Sequence, residues 1–221
     1  MTFPAFPQAS GALLLPGPVG AIELACALPD VDIARSGVAI IAHPNPVQGG
    51  TMHNKVVTIL ERALLDLGIA TVRFNFRGTG QSEGVHDNGV GETDDLVAIA
   101  EWLREARPGD TRWLAGFSFG SYVALRAAPR IHPAQVILVA PPVGRFEFAP
   151  IEPPACPWLI VQGEEDEVVD PNAVFEWAAG LQPPPTVIRM PETGHFFHRR
   201  LMDLRGAVKN AVGGNLPPLR A

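Results

Sequence analysis

From residue 38 onward, short wholly apolar runs alternate with stretches in which apolar residues recur every three or four positions. Residues 38–42, 111–117, 135–140 and 158–162 are rich in aliphatic and β-branched side chains, as strands covered on both faces are. Residues 69–76 and 186–190 predict two more strands. Between them, Val56, Leu60, Leu64 and Leu67 share one helical face that Gly68 ends. Leu96, Ile99, Ala100 and Leu103 repeat at the same spacing. Residues 118–128, 171–179 and 197–212 predict three further helices. Ahead of all this, residues 11–15 and 20–28, joined by Pro16-Gly-Pro-Val-Gly20, predict an antiparallel hairpin.

Alternation with short connections implies right-handed βαβ units. The expected class is α/β: a mostly parallel central sheet flanked by helices, with an N-terminal antiparallel hairpin. No repeat or composition break marks a second domain, so residues 1–221 read as one domain, with 1–8 and 213–221 expected to fray. A hydrophobic share of 47 % against 18 % charged residues supports a large buried core and argues against disorder. The net charge of −6 and the lack of any Lys/Arg run argue against a nucleic-acid or anionic-membrane partner. Two cysteines, Cys26 and Cys156, are too few for a metal site and read as free thiols. No apolar run reaches transmembrane length and no signal peptide opens the chain, so a cytoplasmic location is expected.

The candidate chemistry starts where one strand meets one helix. Ser118 follows the apolar run 111–117, with Gly116 and Gly120 two positions to either side. A serine held on a sharp strand-to-helix turn needs small neighbours at those positions, and the turn lies at a strand's carboxyl end, where sites form in α/β sheets. A neutral hydroxyl also needs a base, and the base an orienting acid. His195 follows the last strand in Thr193-Gly194-His195 and is the favoured base over His198, which falls in the next helix. The strand 158–162 runs into Gly163-Glu-Glu-Asp166-Glu-Val-Val-Asp170-Pro171. Asp170 precedes proline as a helix N-cap would, so Asp166 is the favoured acid, with Glu164, Glu165 and Glu167 as fallbacks.

The order serine, aspartate, histidine is that of α/β-hydrolases. His43-Pro-Asn-Pro46 with Gly49-Gly50, Asn75-Phe-Arg-Gly-Thr-Gly-Gln-Ser82, Gly116-Phe-Ser-Phe-Gly120, Gly163-Glu-Glu-Asp166 and Gly194-His195 stand in that family's sequence. On these motifs the chain resembles the α/β-hydrolase superfamily over nearly its whole length, most closely its small, capless, dienelactone-hydrolase-like branch. That branch's namesake uses cysteine where Ser118 stands. The resemblance implies an eight-stranded sheet, Ser118, Asp166 and His195 as a catalytic triad, and no cofactor or metal. One oxyanion donor is expected from the Phe119 backbone N–H. Pro44 and Pro46 have no N–H, which makes Asn45 the second donor and Val47 its fallback. His43 reads as a structural hydrogen-bonding residue, and Arg77 as part of a turn that pairs with a carboxylate. Glu92, Asp94 and Asp95 read as acids favouring a helix N-terminus.

The connection 142–157 is too short for a cap domain, which leaves an open site with Phe146, Phe196 and Val168 against the substrate. The expected activity is a serine carboxylesterase acting on small to medium esters through an acyl-enzyme on Ser118. A thioesterase, a lactonase, a peptidase and a non-catalytic binding protein of the same fold are the alternatives.

Overall fold

The computed structural model describes residues 3–220. The elements are β1 (Gly11–Gly17), β2 (Gly20–Ala27), β3 (Gly37–Ala42), α1 (Lys55–Leu65), β4 (Ala70–Phe74), α2 (Val90–Ala106), β5 (Thr111–Phe117), α3 (Phe119–Ile131), β6 (Gln135–Val139), β7 (Trp158–Gly163), α4 (Pro171–Ala179), β8 (Thr186–Met190) and α5 (Leu201–Val212). One eight-stranded sheet has the order β1-β2-β4-β3-β5-β6-β7-β8. Strands β3 to β8 run parallel, and the β1–β2 hairpin joins antiparallel to β4.

Burial explains the composition of the strands. Every residue of β3, β6 and β7 is buried, because helices cover both faces. Val56, Leu60 and Leu64 of α1 and Leu204, Val208 and Val212 of α5 pack on one face. Helices α2, α3 and α4 pack on the other through residues such as Leu96, Leu103, Ala124, Ala128 and Val174. The chain leaves β3 toward β4 on one side and reaches β5 on the other. The crevice outside the carboxyl ends of these strands is therefore the topological switch point where α/β sheets place their sites.

Several boundaries differ from the sequence reading. The last helix starts at Leu201, not near Phe197, because Phe197 and Arg199 take left-handed φ of 53° and 61°. Helix α2 starts at Val90, where the Glu92 carboxylate accepts the backbone N–H groups of Gly89 and Asp87. Asp95 does not serve that helix end; it pairs with Arg77, and Asp94 pairs with Arg130.

The described residues of both termini, where fraying is expected, pack on the body of the fold. The Trp102 indole donates to Pro4 O at 2.7 Å, and the Phe6 ring stacks on Trp102 at 5.6 Å. At the other end Ser36 N–H donates to Pro218 O at 2.9 Å and Arg220 N–H to Ala34 O at 2.8 Å. Residues 1, 2 and 221, also expected to fray, lie outside the described residues. Among the described residues no helix is long and apolar enough to cross a membrane. The connection from β6 to β7 is an irregular loop holding one isolated bridge, Val143–Phe146, and no inserted domain.

Candidate active site

Ser118 occupies the turn between β5 and α3 with φ 53° and ψ −120°, a backbone region that costs a non-glycine residue energy unless its surroundings enforce it. They do so by hydrogen bonds. Ser118 N–H donates to Val139 O at 2.8 Å, and Ser121 N–H donates to Ser118 O at 2.8 Å. The Ser121 hydroxyl lies 2.8 Å from Gly116 O and 2.9 Å from Val139 O, so it ties the end of β5 to β6. The glycines supply the clearance. A Cβ on Gly116 would stand 2.3 Å from Gly120 O, and one on Gly120 2.3 Å from Ala42 O. All of those contacts are backbone atoms that cannot swing aside. Gly120→Ala is therefore expected to destabilise the fold by about 3–5 kcal/mol, which calorimetry would register as a Tm lower by roughly 10 °C.

The three side chains converge. The His195 Nε2 faces Ser118 Oγ at 3.1 Å and Nδ1 faces Asp166 Oδ2 at 2.8 Å. With the proton on Nδ1, the ring donates to the carboxylate and accepts from the serine hydroxyl. Asp166 Oδ2 also accepts from the Gln162 amide at 2.9 Å, and Oδ1 accepts the N–H groups of Val168 and Val169 at 2.9 and 2.7 Å. Burial raises the Asp166 carboxyl, but the hydrogen bonds from His195, Val169 and Val168 and the charge of the imidazole outweigh it and hold the group below its ordinary range. Asp170 accepts Asn172 N–H at 3.0 Å as the cap of α4 and takes no part here. His198 is exposed, its ring 6.0 Å from that of Phe196. The two cysteines do not compete: neither belongs to the wall of the cleft on which Ser118 and His195 open, and burial raises both thiols, that of Cys26 to about 12.

The loop carrying the acid and the loop carrying the histidine are zipped together. Glu164 N–H donates to Met190 O at 2.9 Å, and Glu165 N–H to Thr193 O at 3.1 Å. His195 N–H donates to the Glu167 side chain at 3.1 Å. Glu167→Ala removes that anchor without touching the serine. One hydrogen bond to a charged group is worth about 1.5 kcal/mol, so a kcat lower by about tenfold with KM little changed is expected, and Glu167→Gln should recover most of it. Steady-state kinetics of the two variants checks this.

Ser118 and His195 open on a cleft of about 500 Å³ whose wall also includes Asn45, Val168, Glu167 and Phe196. The Phe146 expectation is corrected. Its ring packs on Tyr122 at 4.8 Å and on Phe119 at 5.3 Å, and Arg145 takes its place on the cleft wall. Phe196 is 42 % exposed there, whereas Phe117, Phe119 and Phe197 are core, with Phe117 lying 5.1 Å beneath the His195 ring. Among the described residues the N–H groups of Phe119 and Asn45 donate to no protein acceptor. The Val47 N–H is occupied by the Asn45 side chain at 2.9 Å.

Known proteins carry the same arrangement of elements. The X-Pro dipeptidyl-peptidase (S15) family matches residues 27–149, more than half of the chain. A lidless α/β serine hydrolase from Xanthomonas campestris is 54 % identical over 98 % of this chain and all of its own, with a TM-score of 0.95. The chain belongs to the α/β serine hydrolases of this family. An α/β serine hydrolase homologue from Coxiella burnetii is 45 % identical over 93 % of this chain and 99 % of its own, with a TM-score of 0.90. An uncharacterised protein of Rickettsia prowazekii is 35 % identical over 165 residues, 72 % of this chain and 68 % of its own.

Several residues of the hydrolase site escaped the sequence reading. Gln162 was legible in principle, being the one polar side chain in an otherwise apolar strand, and its amide holds Asp166. Ser121 left no such signal. The stretch Asn75–Ser82 builds scaffold: the Asn75 side chain donates to Glu23 at 2.7 Å and accepts Met52 N–H at 2.9 Å, and Ser82 Oγ donates to Asn75 O at 2.6 Å. Arg77 makes two 2.7 Å bonds to the Asp95 carboxylate and ties this loop to α2.

His43 joins the loops after β3 and β4. Its Nδ1 donates to Pro44 O at 2.6 Å, and its Nε2 accepts Phe76 N–H at 3.0 Å. Burial pushes it down to about 4 from 6.5, against the opposing pull of the Pro44 carbonyl. The folded state then binds fewer protons than the unfolded chain between pH 6.5 and 4, so this group's stability is full above 6.5 and lost as pH falls through the window. The loss amounts to roughly 3 kcal/mol. Urea unfolding at pH 7 and pH 4.5 should show it, and His43→Gln should remove that share of the pH dependence.

Proposed function

We propose that this hydrolase cleaves carboxylic esters of small to medium size through an acyl-enzyme on Ser118. The observation that carries the reading is the hydrogen-bonded line Ser118 Oγ, His195 Nε2, His195 Nδ1, Asp166 Oδ2, with separations of 3.1 and 2.8 Å, on a strained turn that opens into a cleft. In the proposed sequence His195 takes the Ser118 proton as the oxygen attacks the ester carbonyl. Asp166 keeps the imidazole in its tautomer and stabilises its cation. The Phe119 and Asn45 N–H groups receive the developing oxyanion. The alcohol leaves with the proton from His195, and water, activated by the same imidazole, releases the acid.

Esters are the easier acyl substrates for such a serine, because an alkoxide leaves more readily than an amide nitrogen. Val168 and Phe196 offer the acyl group an apolar wall. The family also takes its name from a peptidase, so the test needs an amide arm. p-Nitrophenyl acetate and butyrate, a thioester, a lactone and Ala-Pro-p-nitroanilide are assayed side by side. Turnover fastest on the esters is the expected result. Turnover confined to the anilide, or to none of them, overturns the reading.

A further inference from the structure

A second cavity, of about 790 Å³, does not belong to this site. It lies at the amino ends of β3 and β5, whereas Ser118 follows the carboxyl end of β5; the strand separates them by about 20 Å. Arg35 enters it from the segment before β3, Arg107 from the turn between α2 and β5, and Arg220 from the C-terminal segment. No Asp or Glu belongs to its wall.

Charge balance makes this arrangement unusual. Asp110, its side chain 2 % exposed, bonds both Arg107 and Arg220, so among the described residues one carboxylate serves two of the three guanidinium groups and none pairs with Arg35. Arg35 donates from one nitrogen to Pro217 O at 2.8 Å. A guanidinium has five N–H groups, so each of the three keeps donors beyond these bonds. Asp30 and Asp32 flank the cavity without lining it, and the Asp30 carboxylate is used on Asp32 N–H. The rest of the chain is acidic, with a net charge of −6, so this cluster stands against the overall field. Apart from Gln8, the side chains of the remaining wall are apolar, with Phe6, Pro7, Leu28 and Pro29 among them, and the Arg107 guanidinium lies 4.5 Å over the Phe6 ring.

We propose that this cavity binds a small organic diphosphate carrying a flat apolar portion, of nucleoside diphosphate chemistry. Planar forks arriving from three directions suit the many oxygens of a diphosphate, where a lone carboxylate would be satisfied by one. The volume is that of a ligand pocket, and the apolar wall receives the non-ionic part.

The test is titration calorimetry and thermal shift with ADP on the full chain at low ionic strength. ADP is expected to bind at micromolar to submillimolar concentration and to raise Tm, and adenosine to do neither. Arg35→Ala should weaken binding at least tenfold. Because Arg35 also holds Pro217, Arg220→Ala is run beside it with the same expectation. Ser118→Ala should bind ADP unchanged whether or not the protein is an esterase. Absence of heat and thermal shift at millimolar ADP overturns the proposal. So does unaltered affinity in both arginine variants, or adenosine binding as tightly as ADP.

Discussion

Ser118→Ala is expected to lower kcat for a p-nitrophenyl ester by about 10⁶, with the fold intact. The size of the effect follows from the unit to which the hydroxyl belongs. Among the described residues His195 Nε2 has its only polar partner in Ser118 Oγ, and without that oxygen the base and its acid have nothing to activate. Stability should move little, because the strained turn is held by backbone bonds from Ser118 and by Ser121, not by the lost oxygen. Circular dichroism and a progress curve at high enzyme concentration check both halves. A loss below about a hundredfold would mean that another group carries the reaction, since the oxyanion hole and binding alone leave only about 10³–10⁴ over water.

Asp166→Asn is expected to lower kcat by about 10⁴, as the same change does in other serine triads. The surroundings of the side chain give the reason. The Val168 and Val169 N–H groups fix one oxygen at 2.9 and 2.7 Å, which in the variant must be the amide carbonyl. The amide nitrogen then points at His195 Nδ1, where it donates, and the imidazole proton moves to Nε2. A ring in that tautomer cannot accept from Ser118. The Gln162 amide, which donates to the same position, adds a second donor-to-donor conflict. Steady-state kinetics with the variant shown to be folded is the measurement, and Asp170→Asn, which alters only the α4 cap, serves as the control with near-normal kcat.

The parts of the site that were legible in the sequence are those set by local geometry. Gly116, Ser118 and Gly120 declare a tight turn within five residues, and Gly194-His195 follows its strand directly. Asp170 could be set aside because a helix cap is also a local pattern. What stayed hidden depends on partners distant in sequence. Phe146 leaves the cleft because Tyr122, twenty-four residues earlier, offers its ring a stacking face at 4.8 Å. The C-terminal segment packs beside the start of β3 because Arg35 and Leu219 bridge across most of the chain. Asp95 looked like a helix-end acid, and only the folded chain brings Arg77 to it. Hydrophobic period places elements and local motifs place turns, but neither encodes which side chains meet across them.

In the proposed mechanism Ser118 Oγ becomes covalently modified. Fluorophosphonate treatment followed by mass spectrometry of the digested protein tests this most directly. One phosphonyl group on the peptide holding Ser118, absent from Ser118→Ala and far slower to form in His195→Ala, is the expected result. Folded protein that takes no label, or that is labelled equally well without the Ser118 hydroxyl, would contradict it.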